Sequence, residues 1–276
     1  MRNVGGHVSI AGGIANAIKN TQVIGGNCMQ IFAGSPRLWA RSLWLQKDTE
    51  NFVTLVKESG LNPVFIHALY LVNLATDNPE LLEKSENSLI VDIKNGAQIN
   101  SEGVIVHIGS HQGRGFDSAK NQIVSSLKKI LNATNNCDFL LENDAGQNGK
   151  IGSVDEIAYL IKEVNSPRLK ICFDTAHLFE GGLDMRKKEV VEQFILELKS
   201  QNILEKIKCV HLNDSATELD SHRDNHADLG KGKIGIDGLR NFVNHPALIH
   251  LPLILETPGP DKMGPNIENI TIAKSL

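Results

Sequence analysis

Several features are scarce in this chain, and each scarcity removes a class of protein. Cys28, Cys137, Cys172 and Cys209 lie far apart, form no Cys-x-x-Cys pair and sit in or beside apolar segments. That excludes a disulfide framework and a thiolate zinc knuckle, and it points to small core residues in a reducing compartment. No apolar stretch approaches the ~20 residues that span a bilayer, and nothing near Met1 has the basic-then-apolar layout of a signal peptide. The expectation is a cytoplasmic protein with no membrane partner. Positive charge is not in excess either: 28 Lys and Arg stand against 32 Asp and Glu, a net charge of −4. A protein that coats nucleic acid by bulk positive charge is thereby excluded. A local site in which divalent cations reverse the field where a phosphate must sit is not.

What is present is a repeat. Short apolar runs rich in Val, Ile and Leu recur at Val4–Ile10, Cys28–Phe32, Pro63–Ala68, Gly103–Ile108, Asp138–Glu142, Leu169–Asp174, Ile207–Asn213 and Pro252–Glu256. Between them, segments such as Thr49–Ser59, Pro79–Ile99, Ser118–Asn132, Val154–Val164, Lys187–Gln201 and Gly238–Val243 carry apolar residues at helical intervals. Strands this uniformly apolar are buried on both faces, as in parallel sheets covered by helices, and eight of them close a barrel. No Gly-x-Gly-x-x-Gly turn follows the first run, which argues against an open dinucleotide-binding sheet. The pattern predicts a (β/α)8 TIM barrel occupying residues 1–276 as a single domain, with no orphan apolar segment and hence a monomer.

Six of the runs end in residue types that bind metal: His67, His107, Glu142, Asp174, His211 and Glu256. In a (β/α)8 barrel such C-terminal strand ends converge on the face where active sites lie, so residues scattered along the chain would share one pocket. A single strand-end His or Glu is as often a hydrogen-bonded structural residue as a ligand. Three carboxylates gathered without a cation would repel strongly, whereas divalent metals hold them ionised and accept imidazole nitrogens too. His177, three residues after Asp174, and the Asp224-x-His226 pair lie just beyond the strand ends and suggest a further metal position. His7, His111, His222, His245 and His250 have no matching partner and read as structural, with His7 in hydrogen-bonding contact at most.

At these residues the chain resembles the endonuclease IV (Nfo-type) apurinic/apyrimidinic endonucleases. The resemblance rests on Gly6-His7-Val8-Ser9, Tyr70-Leu71-Val72-Asn73-Leu74, Glu142-Asn143 with Ala145-Gly146-Gln147, and Phe173-Asp174-Thr175 with His177. It continues in His211-Leu212-Asn213-Asp214-Ser215, Gly230-Lys231-Gly232-Lys233-Ile234-Gly235 and Leu255-Glu256-Thr257-Pro258. It implies three zinc ions per chain, with manganese admissible at one position. His67, His107 and Glu142 would hold the first, Glu142, Asp174, His211 and Glu256 the second, and His177, Asp224 and His226 the third. The chain departs from the family pattern at Ile108, where Pro is usual, at Ala176, where Cys is common, and at Asn225, where Arg is usual. None of these removes a ligand, but Asn225 carries no positive charge near the expected phosphate path.

The implied activity is hydrolysis of the phosphodiester 5′ to an abasic site in double-stranded DNA, leaving a 3′ hydroxyl and a 5′ deoxyribose phosphate. Glu142, Glu256 and Asp174 are the implied catalytic residues, and Arg37, Tyr70, Lys231 and Lys233 the implied DNA contacts. The competing reading is a metal-dependent sugar isomerase or epimerase on the same kind of barrel. Glu142, Asp174, His211 and Glu256 would serve it equally, but His67, His107, His177, Asp224 and His226 would have no task there.

Overall fold

The computed structural model describes residues 2–276. Eight parallel strands close on themselves: β1 (Val4–His7), β2 (Cys28–Phe32), β3 (Val64–His67), β4 (Gly103–His107), β5 (Asp138–Glu142), β6 (Leu169–Asp174), β7 (Ile207–His211) and β10 (Leu253–Leu255). β1 pairs with both β2 and β10, which shuts the barrel. A two-residue antiparallel ribbon, β8 (Asp214–Ser215) with β9 (His226–Ala227), is inserted between β7 and β10.

Helices α1 (Asn16–Val23), α2 (Gln46–Ser59), α3 (Pro79–Gln98), α4 (Phe116–Asn132) and α5 (Val154–Val164) follow successive strands. After β6 come α6 (Thr175–Glu180) and α7 (Lys188–Ser200), and α8 (Gly235–Val243) and α9 (Ile267–Ser275) complete the ring. Their ends follow ordinary capping chemistry. Asn78 accepts from Leu81 N at the start of α3, with Pro79 in the first turn, and Ser153 with Glu156 forms a reciprocal capping box on α5.

The expected (β/α)8 barrel is the fold observed, with three kinds of difference. The first, third, fourth, seventh and eighth strands are shorter than the apolar runs that announced them, because pairing ends where each chain turns outward over the rim. Helices α1, α6 and α9 are too short or too polar to stand out by periodicity. The β8–β9 ribbon, two residues a side, has no pattern to detect.

Strand alternation sorts the apolar side chains into two layers. Val64, Ile66, Val104, Val106, Phe139, Leu141, Ile171, Phe173, Val210, Leu253 and Leu255 point outward into the packing beneath the helices. Cys28, Phe65, Ile105, Leu140, Cys172, Cys209 and Ile254 point inward and fill the barrel as a separate apolar plug. At Gly5, in β1, a Cβ would lie 1.7 Å from the Cys28 carbonyl oxygen, so only glycine fits there.

The period of two has a direct consequence for the site. Two residues beyond each plug residue the chain again points inward, one layer higher. Those positions are Gln30, His67, His107, Glu142, Asp174, His211 and Glu256, and His7 follows Gly5 in the same way. Each of the eight strands, or in β10 the residue just beyond it, thus delivers one polar side chain to a ring above the plug, at the C-terminal end of the barrel.

Candidate metal centre

The ring and the loops above it gather nine imidazole and carboxylate side chains. The donor atoms of His67, His107 and Glu142 lie within 4.8 Å of one another, and so do those of Glu142, Asp174, His211 and Glu256. A third set joins Asp174, His177 and His226 within the same limit. Asp224 adjoins it, with Oδ1 3.2 Å from His177 Nε2 and 3.8 Å from His226 Nε2. The three groups share members: Glu142 belongs to two and Asp174 to two. Local structure explains the placement of His177. Asp174 ends β6 and caps α6, its Oδ1 accepting from His177 N at 3.0 Å, so the cap brings His177 back over the ring.

All five imidazoles follow one rule. One ring nitrogen lies against an oxygen on the outer side, hydrogen-bonded in four of them and at ion-pair distance in His107, and the other faces the carboxylates. His67 donates from Nδ1 to the Ala68 carbonyl oxygen at 2.7 Å, and its Nε2 lies 3.0 Å from Glu142 Oε2. His107 Nδ1 is 3.2 Å from Asp144 Oδ2, with Nε2 3.5 Å from Glu142 Oε2. His177 donates from Nδ1 to the Asn143 carbonyl oxygen at 3.0 Å and turns Nε2 to Asp224. His211 donates from Nε2 to Gln30 Oε1 at 2.8 Å, leaving Nδ1 2.9 Å from Glu142 Oε1 and 3.4 Å from Glu256 Oε2. His226 donates from Nδ1 to the Glu256 carbonyl oxygen at 3.4 Å, with Nε2 3.4 Å from Asp174 Oδ2. An outer oxygen on one nitrogen with the other left facing a ligand position is the arrangement of metal-bound histidine. The donor set fits divalent metal of the zinc type, which takes imidazole nitrogen and carboxylate oxygen together.

Electrostatics lead to the same conclusion. Burial alone pushes the Glu142 carboxyl up, but His107, His211 and His67 outweigh it and hold it well below the usual carboxylate range. Burial likewise opposes ionisation of Glu256 and Asp224, and His211 and His177 respectively help to bring both down. The imidazoles shift the other way: against the cost of burial, Asp174, Asp224 and Glu142 raise His177 well above its ordinary value. Without metal, the counter-charge facing Glu142, Asp174 and Glu256 among the described residues is protonated histidine, which a bound cation replaces.

The remaining expected residues divide. Tyr70 stands 60% exposed on the rim, and its backbone N–H bonds to the Pro36 carbonyl oxygen, so its loop touches that of the exposed Arg37. Tyr70 and Pro36, the residue before Arg37, border a cavity of about 1000 Å³ lined also by His107, His177, Asp224, His226 and Glu256. Lys231 and Lys233 lie further out, each paired with an acid: Asp228 at 3.5 Å and Glu218 at 2.6 Å.

Sequence reasoning missed two contributors. Gln30 is fully buried and bridges His211 and Glu256, donating to Glu256 Oε1 at 2.6 Å. Asp144 backs His107. The position of Gln30, two residues after the inward Cys28, was the available signal. His7 accepts from Gln30 Nε2 at 2.9 Å and sits 3.4 Å from Glu256, beside the cage rather than in it. Cys172 and Cys209 lie within 4.8 Å of a His211 nitrogen, but burial pushes both thiols up and they belong to the apolar plug.

Comparison with known proteins shows the fold and the family. Residues 18–274 match the family described as xylose isomerase-like TIM barrel. A probable endonuclease 4 of Haloarcula marismortui is 39% identical over 94% of this chain and 93% of its own length. One from Thermosipho africanus is 37% identical over the same shares. The crystal structure of endonuclease IV from Thermus thermophilus superposes with a TM-score of 0.85 at 35% identity, covering 99% of this chain and 100% of that one. A 3-keto-D-glucoside 4-epimerase from E. coli, 14% identical with a TM-score of 0.70 over 100% of both chains, shares the fold alone. The chain belongs to the endonuclease IV family.

Proposed function

We propose that this protein is a DNA repair endonuclease that hydrolyses the phosphodiester 5′ to an abasic site in duplex DNA, leaving a 3′ hydroxyl and a 5′ deoxyribose phosphate. The observation that carries the reading is the set of five imidazoles, each with one nitrogen against an outer oxygen and the other facing shared carboxylates. Relatives named endonuclease 4 over nearly the whole chain support the choice of reaction. In this reading three zinc ions are held by His67, His107 and Glu142, by Glu142, Asp174, His211 and Glu256, and by His177, Asp224 and His226. When bound, such ions supply a water nucleophile at neutral pH and neutralise charge on the phosphoryl group and the departing 3′ oxygen.

The chain's own residues position and hold protons. Glu142 reaches both His67 and His211 with its two oxygens and so would serve two metal positions. Glu256, fixed by Gln30 and by its backbone bond to Asn213 Oδ1, presents a carboxylate to the cavity, where it holds or accepts the nucleophile's proton. Asp174, clamped by Asn213 Nδ2 at 2.7 Å, is the second carboxylate for that role. An abasic sugar has no base to unstack, so it leaves the duplex at low cost and enters the cavity. Arg37 and Tyr70 on the rim then occupy the gap, and Lys231 and Lys233 meet flanking phosphates once released from Asp228 and Glu218. The protein acts as a cytoplasmic monomer formed of one domain.

Elemental analysis with a nicking assay on an abasic duplex tests the reading. Three zinc per chain and a strand cut 5′ to the lesion are expected. One manganese or magnesium per chain with no nick would replace it by sugar isomerisation. A Glu256→Gln protein that keeps its zinc and near-normal cleavage would remove the carboxylate from the chemistry.

A further inference from the structure

One lysine enters the candidate centre. Lys150, in the loop between β5 and α5, places Nζ 3.1 Å from Asp144 Oδ2 and 3.3 Å from Asp224 Oδ2. It is no free surface side chain. Asn148 (φ 54°) and Gly149 (φ 71°) turn the backbone left-handed immediately before it. Lys150 then pairs with Ser110, flanked by bonds from His111 N to Gly149 O and from Ile151 N to Gly109 O. The lysine is therefore fastened to the loop that leaves β4 just after His107. Burial works against its charge, and Asp144 and Asp224 outweigh burial, so the ammonium is retained.

The two oxygens of Asp224 are divided. Oδ1 faces His177 and His226, whereas Oδ2 faces Lys150. Asp144, one step inward, is not divided: its Oδ2 lies near both Lys150 and His107 Nδ1. A continuous chain of contacts, His107 to Asp144 to Lys150 to Asp224, thus runs from one proposed metal position to another. Asp224 needs such a tether: its side chain is 27% exposed, against 1% for His177, and it sits on the long loop between β8 and β9.

We propose that Lys150 is a positioning residue for the third metal position, holding Asp224 with Oδ1 turned inward. The assignment rests on reading the cage as a metal centre. Two effects of the ammonium compete. Its charge repels an incoming cation, and its contact pre-sets a ligand on an exposed loop. The division of the Asp224 oxygens decides between them, because Lys150 occupies the oxygen the cation does not need. Outer partners of metal ligands are typically worth about 10–100-fold in affinity.

The test is zinc binding by the metal-free protein in competition with a chromophoric chelator, for wild type, Lys150→Met and Lys150→Arg. Lys150→Met is expected to hold its weakest-bound zinc about 10–100-fold more loosely, with the other two little changed, and Lys150→Arg to restore the wild-type curve. A loop that mattered only for folding would lower the metal-free Tm and leave this ordering intact, which overturns the proposal. So does a Lys150→Met protein whose third zinc is held equally or more tightly, while wild type still takes up three. A wild-type protein that takes up fewer than three zinc ions overturns the trinuclear reading and this assignment with it.

Discussion

Two parts of the molecule bury charge, and they do so on opposite terms. Between β2 and α2, Arg41 turns inward and sets Nε 3.2 Å from Asp92 Oδ1 in α3, with both side chains almost wholly covered. Its Nη1 donates to the carbonyl oxygens of Ser35, Leu38 and Ala40, so one guanidinium serves one carboxylate and shapes the loop that carries Arg37. The barrel mouth instead holds four carboxylates, Glu142, Asp174, Asp224 and Glu256, facing five imidazoles, with Lys150 at the edge. The clamp matches one cation to one acid by proximity, without an aligned hydrogen bond between them. The cage balances only if histidines are protonated or cations arrive, and a buried ion pair with a matched partner differs in this from a site built to receive charge.

The comparison is broken most severely by supplying or withholding metal. If the cage is the open partner, zinc at about 1,000 times each dissociation constant adds roughly 4 kcal/mol of stability per ion, and chelation abolishes nicking until zinc is restored. Glu142→Gln, which removes the carboxylate shared by two groups, is expected to lose two ions together. The pH dependence has a definite sign. Because His177 and His211 are raised well above the ordinary histidine value, zinc must displace protons from them, so affinity falls as pH falls through their range. Calorimetry in two buffers of different ionisation enthalpy reads the released protons, and a pH-independent affinity would sink the argument.

Breaking the clamp is the next largest effect and leaves the cage untouched. Above pH 7, where the Asp92 carboxyl is ionised, Arg41→Met orphans that charge in the interior, a change that costs about 3–5 kcal/mol, with zinc content unaltered. Urea unfolding of the metal-free protein measures it, and a loss below 1 kcal/mol on the order of a surface pair would show that Asp92 is neutral or hydrated.

How much of this contrast was legible beforehand follows from the period of the strands. Phe65, Ile105, Leu140, Cys172, Cys209 and Ile254 each precede a polar residue by two positions, so the six strand-end ligands announce themselves as polar stops to apolar runs. Gln30 obeys the same rule yet is hidden, because Ile31 and Phe32 continue the run past it. Asp144 and Lys150 meet only through the left-handed turn at Asn148 and Gly149, which no local pattern encodes. Arg41 and Asp92 are joined by packing between a loop and a distant helix, and nothing in either segment marks the other.

A smaller effect sharpens the difference in charge state. Burial pushes the Asp92 carboxyl up to about 7 against the pull of Arg41. The folded chain therefore holds a proton there from about pH 4 to 7, where an unfolded aspartate, with a pKa of ~3.9, has released it. This contribution to stability is present at low pH and lost as pH rises through the folded pKa. Against an Asp92→Asn protein, which shares every cage group, wild-type stability should fall by about 1.4 kcal/mol per pH unit across that window. Parallel stability curves would place Asp92 among ordinary ionised carboxylates.

The smallest effect concerns how the two regions meet DNA. The clamp holds a loop whose Arg37 is exposed, with no acid among its ion-pair partners in the described residues, whereas Lys231 and Lys233 are already occupied by Asp228 and Glu218. A cation that must first leave a carboxylate gains less from a phosphate than one that is free. Each phosphate contact contributes about 0.9 to the slope of log affinity against log salt. Arg37→Ala should therefore reduce that slope by close to a full contact on an abasic duplex, and Lys233→Ala by less, since Lys233 must first leave Glu218 to meet a phosphate. Fluorescence anisotropy at several salt concentrations, in the presence of a chelator to prevent cutting, measures both. If the Lys233→Ala slope change equals or exceeds that of Arg37→Ala, the DNA path runs over the loop before α8 rather than over the clamped loop, and the clamp serves stability alone.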